Sequence, residues 1–156
     1  MNRSITPRDI YFMKLANLTS ERSKDPNTKV GACVADDKKV LSLGWNGAPR
    51  TIPDSVVPYN CRDKSKPLKD QKYPYIVHAE MNAILNYSGK ISDLKDSSIY
   101  VNVFPCVECS KILCQVGVKE IIYRNDYTDS DMAKYLFDLA GIKYYRMDDI
   151  DESSTR

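Results

Sequence analysis

The sequence predicts an α/β domain: one mixed sheet of about five strands with helices on both faces, in a three-layer α/β/α arrangement. Three observations lead there. Helix-like and strand-like stretches alternate along the chain, the strand candidates are short and rich in β-branched and aromatic residues, and glycine or proline punctuates the joins. With 156 residues, 42% hydrophobic and 28% charged, the chain has the size and composition of one globular domain. A single domain over residues 1–156 is therefore expected, with its core at about 7–147 and a polar tail at 148–156.

Thr6-Pro7-Arg8-Asp9 opens the first helix: Thr6 can cap it, Pro7 suits the first helical position, and Asp9 meets the positive end of the helix dipole. Ile10, Met13, Leu15, Ala16 and Leu18 fall mostly on one face as far as about Arg22, and Pro26 then pushes Asp25 out of helical geometry. Residues 30–35 and 40–43 read as an antiparallel hairpin turned by Asp36-Asp37-Lys38-Lys39. Residues 44–49 form a loop, and 50–75, with Pro53, Pro58, Pro67 and Pro74, a longer one of the kind that is usually functional or mobile.

A second helix is expected from His78 to about Tyr87, apolar on Met81, Ile84 and Leu85, with Gly89 as its stop. Residues 98–104 read as a strand. Pro105 then starts a helix through Val116 that Gly117 closes. Residues 119–123 are the next strand, 129–140 a helix ended by Gly141, and 142–147 the last strand. Strands joined through helices should lie parallel with right-handed crossovers. The acidic tail from Asp148 is expected to fray.

Composition also excludes some functions. No apolar run approaches the ~20 residues of a membrane span, and the N-terminus lacks a secretory pattern, so a cytoplasmic protein is expected. Lysine and arginine together number 23 against 21 acidic residues, too even a balance for a strong nucleic-acid field. The densest basic run, residues 62–72, is diluted by Asp63 and Asp70 and reads as a solvated loop. Five cysteines without a secretion signal indicate reduced thiols or metal ligands.

Two short stretches carry the chemistry, each at the start of a predicted helix: His78-Ala79-Glu80, and Pro105-Cys106-Val107-Glu108-Cys109. Cys106 and Cys109 share a face of the first turn, where the positive helix end favours thiolate. With the His78 imidazole they make three zinc ligands, leaving a fourth position in which water becomes acidic near neutral pH. Glu80, close by and not a ligand, can carry the proton.

C-x-x-C alone reads equally as a redox pair or half of a structural zinc knuckle, and a closed site could recruit Cys33, Cys61 or Cys114. Cys114, five residues beyond Cys109, points off that face, and Cys33 reads as strand core. A single histidine rules out a Cys2His2 finger and leaves none for a second histidine-built zinc site, so one zinc per subunit is expected. H-x-E followed by P-C-x-x-C is the signature of zinc nucleobase deaminases.

Further blocks extend the match: RSKDPNTKVGA at 22–32, GWNGAP at 44–49, YPY at 73–75, HAEMNAI at 78–84 and FPCVEC at 104–109. Across residues 7–147 the chain thereby resembles the zinc-dependent cytidine and deoxycytidylate deaminases, most of all the deoxycytidylate branch. The resemblance implies a cytidine-deaminase-like fold and zinc-dependent hydrolysis of dCMP to dUMP and ammonia, which supplies thymidylate synthesis. It implies Glu80 as the catalytic residue, His78, Cys106 and Cys109 as metal ligands, and Asn46 and the backbone beside Ala79 as substrate contacts.

Asn46 has an ordinary reading too, as a turn residue before Gly47. Arg22, Lys24, Asp25 and Asn27 are implied phosphate or effector residues, although Arg22 and Lys24 read equally well as solvated charges at a helix end. By the same resemblance the protein would be a homohexamer, activated by dCTP and inhibited by dTTP, with Mg2+ accompanying these triphosphates. Two other functions compete. A nucleic-acid editing deaminase of the tRNA adenosine type should show a basic groove or a stacking platform. A non-catalytic zinc-stabilised binding protein would have no need of Glu80.

Overall fold

The computed structural model describes residues 3–148; the expected fraying tail beyond Asp148 lies outside the described residues. Helix α1 (Pro7–Ser20) opens as its sequence suggests, with a reciprocal box: the Thr6 hydroxyl accepts from the Asp9 N–H, and the Asp9 carboxylate accepts from the Thr6 N–H. Strands β1 (Gly31–Ala35) and β2 (Val40–Trp45) form the antiparallel hairpin, and β3 (Ser98–Val103) pairs antiparallel with the other edge of β1. Strands β4 (Glu120–Asn125) and β5 (Lys143–Arg146) continue the sheet in parallel, giving the order β2-β1-β3-β4-β5.

The remaining helices are α2 (Ala79–Leu85), α3 (Val107–Val116) and α4 (Asp131–Ala140). Alternation along β1 sorts the two cores. Cys33 and Ala35 pack with Phe12, Met13 and Ala16 of α1, whereas Ala32 and Val34 pack with Ala79 and Ala83 of α2, Leu113 of α3 and Phe137 of α4. Helix α1 thus covers one face and α2, α3 and α4 the other, the expected three-layer mixed fold.

Two glycines set the closest approaches of helix to sheet. A Cβ on Gly31 would lie 1.9 Å from the Ala16 carbonyl oxygen of α1, and one on Gly44 would lie 2.2 Å from the Ala83 nitrogen of α2. The expected faces hold at Met13, Ala16 and Ile84, which are buried, and are corrected at Leu18 and Leu85, which are exposed; Thr19 of α1 and Ala79 and Ala83 of α2 are buried as well.

Other boundaries shift. Helix α2 ends at Asn86 in right-handed geometry, its side chain donating to the Leu43 carbonyl, so Gly89 is not its stop. Helix α3 begins at Val107 with Cys106 as its N-cap, placing Pro105 before the cap rather than at the helix start. Strand β2 takes Gly44 and Trp45 from the expected loop. Residues 50–75 contain only single 3-10 turns, at Asp54–Val56, Leu68–Asp70 and Tyr73–Tyr75. Gly117 and Gly141 close α3 and α4 with φ of 82° and 72°, as the sequence suggests.

Candidate metal centre and catalytic pocket

Two helix starts deliver the ligand set. His78 is the N-cap of α2, held by paired backbone hydrogen bonds between Val77 and Gly47 and by its own carbonyl accepting from Asn82. The Asn82 side chain donates to the Trp45 carbonyl at 2.7 Å, tying α2 to the end of β2. Phe104, 1% exposed, anchors the other start: its ring meets Tyr123 edge-on at 4.7 Å and packs on Phe137 and Tyr144, while its N–H donates to Asn125. Such aromatic pairs contribute about 0.5–1.5 kcal/mol each beyond area burial. Cys106 follows two residues later, capping α3, with Cys109 in its first turn.

His78 Nδ1 lies 3.3 Å from Cys106 Sγ and 3.5 Å from Cys109 Sγ. A tetrahedral zinc with ordinary Zn–S and Zn–N bonds would hold sulfur and nitrogen about 3.5 Å apart, so the spacing fits. His78, Cys106 and Cys109 form the one cluster of three or more potential ligands among the described residues. Cys33 is buried on the α1 side of the sheet, Cys114 turns its thiol toward the Leu136 carbonyl at 3.9 Å, and Cys61 lies in the 50–75 loop. None of them closes the site.

The three groups share protons unevenly. A hydrogen bond from Cys109 lowers the Cys106 thiol to about 4 against the cost of its burial, and His78 adds to the effect. The same bond raises Cys109, and the bond to Cys106 raises His78. A dication that displaced the protons of this set would meet two thiolates and a neutral imidazole, the donor set zinc prefers. Glu80, in the first turn of α2 and 4% exposed, has its carboxyl raised by burial, partly countered by the His78 charge and a hydrogen bond with Cys109. A raised carboxyl beside a metal set can accept and return a proton near neutral pH.

These groups open into one cavity. His78, Ala79, Glu80 and Cys106 line it together with Asn46, Asp25 and Thr28 on one side and Val103, Phe104, Tyr127 and Thr128 on another. Asn46 is 5% exposed; its Oδ1 accepts from the Val30 N–H and its Nδ2 donates to the Thr28 carbonyl, both at 2.9 Å, so it braces the cavity wall. Asp25 is fully buried and pairs with Lys72 Nζ at 2.6 Å. Arg22, Lys24 and Asn27 lie outside these walls: Arg22 stacks over Trp45 at 5.0 Å, Lys24 pairs with Asp54, and Asn27 donates to the Tyr59 carbonyl.

Arg62, Lys64 and Lys72 also line the cavity. They belong to the basic run that the sequence assigns to a solvated loop. Arg62 and Lys64 are solvated, yet they face the pocket mouth, and neither has a carboxylate partner among the described residues. The one signal that could have found them is the density of cations just ahead of His78. Tyr127 and Thr128, in the β4–α4 connection, carried no comparable signal.

A family model, the cytidine and deoxycytidylate deaminase zinc-binding region, matches residues 6–125. Human deoxycytidylate deaminase is 45% identical over 139 residues, covering 86% of this chain and 76% of that protein. ComE operon protein 2 of Bacillus subtilis is 36% identical over 132 residues, covering 85% and 67%. Among solved structures, the dCMP deaminase of cyanophage S-TIM5 in complex with dCMP and dUMP superposes with a TM-score of 0.74 at 28% identity, covering 93% of this chain and all of that one.

Proposed function

Because the chain belongs to the cytidine and deoxycytidylate deaminase family, we propose that it hydrolyses dCMP to dUMP and ammonia through one zinc held by His78, Cys106 and Cys109. The observation that carries this reading is a single cavity lined by His78 and Cys106 of this ligand set, by Glu80, and also by Arg62 and Lys64. A deamination centre and cations suited to a monophosphate share one space.

Zinc supplies Lewis acidity that brings the ionisation of water near neutral pH. Glu80 takes the proton of the attacking water, delivers it to the pyrimidine ring nitrogen, and then assists the amino group as it leaves. A carbon–nitrogen bond breaks, a carbonyl forms, and ammonia departs. Buried Glu80 suits this role because desolvation raises its carboxyl, which favours giving the proton back after taking it. Asn46 and the backbone at Ala79 orient the nucleotide from the cavity wall, and the whole of residues 7–147 acts as one deaminase domain.

For regulation, the reading keeps dCTP as activator and dTTP as inhibitor, each with Mg2+, in a homohexamer working in the cytoplasm. Arg22, Lys24, Asp25 and Asn27 serve effector or phosphate. In support, Lys24 lines a shallow recess with Tyr59 and Asn60 that shares Arg62 with the catalytic cavity. No helix among the described residues is long and apolar enough to cross a membrane.

Purified protein is expected to convert dCMP to dUMP and ammonia in equal amounts, with single-stranded DNA, tRNA and free cytosine slow or inert. Strong turnover of an oligonucleotide with none of dCMP contradicts the nucleotide reading.

A further inference from the structure

The Lys72–Asp25 pair is the most buried ion pair among the described residues, its side chains 7% and 1% exposed and their charged atoms 2.6 Å apart. It joins two walls of the catalytic cavity that lie 47 residues apart in sequence. Asp25 sits in a turn that holds it rigidly: its Oδ1 accepts from the N–H groups of Asn27 and Thr28, and its own N–H donates to Ser23 Oγ, which donates in turn to the Asn46 carbonyl. Lys72 terminates the basic segment, and its N–H donates to the Cys61 carbonyl at 3.0 Å, closing that segment into a loop. Arg62 and Lys64 ride on this loop.

Two further ties join the 23–28 turn to the segment just ahead of that loop, Lys24 to Asp54 and Asn27 to the Tyr59 carbonyl, and both are exposed. Exposed pairs contribute little, so the buried pair sets where the loop sits. Burying two charges gives little net stability over an apolar pair of the same size, because desolvation offsets their attraction. Its consequence here is positional. Lys72 and Asp25 also cancel each other's charge, leaving Arg62 and Lys64 as the uncompensated cations of the cavity.

From this geometry we infer that the Lys72–Asp25 pair is a clasp that docks the 61–72 loop against the 23–28 turn and thereby positions Arg62 and Lys64 for the phosphate of a nucleoside monophosphate. Lys72 and Asp25 are positioning residues, and Asp25 serves the phosphate through the loop that this pair holds. The inference rests on the reading of dCMP as substrate.

The test is steady-state kinetics of the full-length zinc enzyme on dCMP, comparing wild type with Lys72→Met, Lys72→Arg and Asp25→Asn/Lys72→Met. Lys72→Met should raise KM for dCMP by about tenfold or more while kcat changes less than about threefold and zinc stays at one per chain, and Lys72→Arg should recover most of the loss. The double variant leaves no unpaired buried charge, so it should fold even where the single one does not, and it should show the same raised KM. Asp54→Ala, which breaks the exposed tie to Lys24, should leave KM within about twofold. An unchanged KM in both clasp variants, or a loss of kcat and zinc with KM unmoved, overturns the clasp while leaving the substrate reading intact. Failure of the wild-type enzyme to turn over dCMP overturns the substrate reading and the clasp with it.

Discussion

Burial gives several side chains properties that their identity alone does not. Cys33, enclosed between β1 and α1, has its thiol pushed up to about 12 by burial and should resist iodoacetamide in the native protein. Partly exposed Cys61 should alkylate before it; early modification of Cys33, read by mass spectrometry, would contradict this packing. Asp9 and Asp25 are raised by burial, but hydrogen bonds from Arg3, Tyr100 and Thr6 in one case and from Lys72, Asn27 and Thr28 in the other outweigh it, so both are held below the ordinary carboxylate range. A depressed folded value means that the unfolded chain binds more protons at low pH. These carboxylates thus stabilise the fold above about pH 4, and that stability is lost as the pH falls through their folded values. Thermal midpoints should drop steeply below about pH 4 in the wild type and less steeply in Asp9→Asn. The metal set was legible as letters, because thiols three residues apart at a helix start permit little else beside His-x-Glu. Arg62 and Lys64 were not, because the direction an exposed cation faces depends on how a loop folds back, and that leaves no periodicity.

The elements hold the site by close approach. Helix α2 can bring His78 and Glu80 to the cavity because Gly44 lets its backbone settle onto β2, and α1 seats likewise on Gly31. Gly44→Ala should cost at least about 1–3 kcal/mol, since its Cβ would meet backbone that cannot rotate away, and by displacing α2 it should also lower activity. An unchanged urea midpoint would contradict this seating. Periodicity found both helices and part of each face, with Met13, Ala16 and Ile84 buried; it failed at Leu18 and Leu85, which count as apolar in the pattern but point away from the close approaches that Ala16 and Ala83 make to the sheet. Gly89 failed as a stop because Asn86 had already satisfied the last turn of α2. Cys106→Ala should lose zinc and, with it, thermal stability, because metal binding at such a site is coupled to folding. Full zinc retention by that variant would remove Cys106 from the ligand set.

At the scale of the molecule, the alternation of helix and strand dictated the sheet almost completely, since parallel neighbours need helical crossovers and the first hairpin needs none. How chains assemble is less legible, because exposed apolar residues look alike in sequence wherever they sit. Leu85, Met132, Tyr135 and Leu139 are exposed on α2 and α4, on one side of the sheet. Light scattering is expected to give a mass of six chains, and a monomer at micromolar concentration would contradict the proposed hexamer. The proposed chemistry depends on one carboxylate, Glu80, beside one set of candidate zinc ligands. The most direct measurement is kcat for dCMP in the wild type and in Glu80→Ala, with zinc quantified in both. The account predicts a loss of at least about a hundredfold at unchanged zinc content; near-normal turnover by the zinc-loaded variant would contradict it.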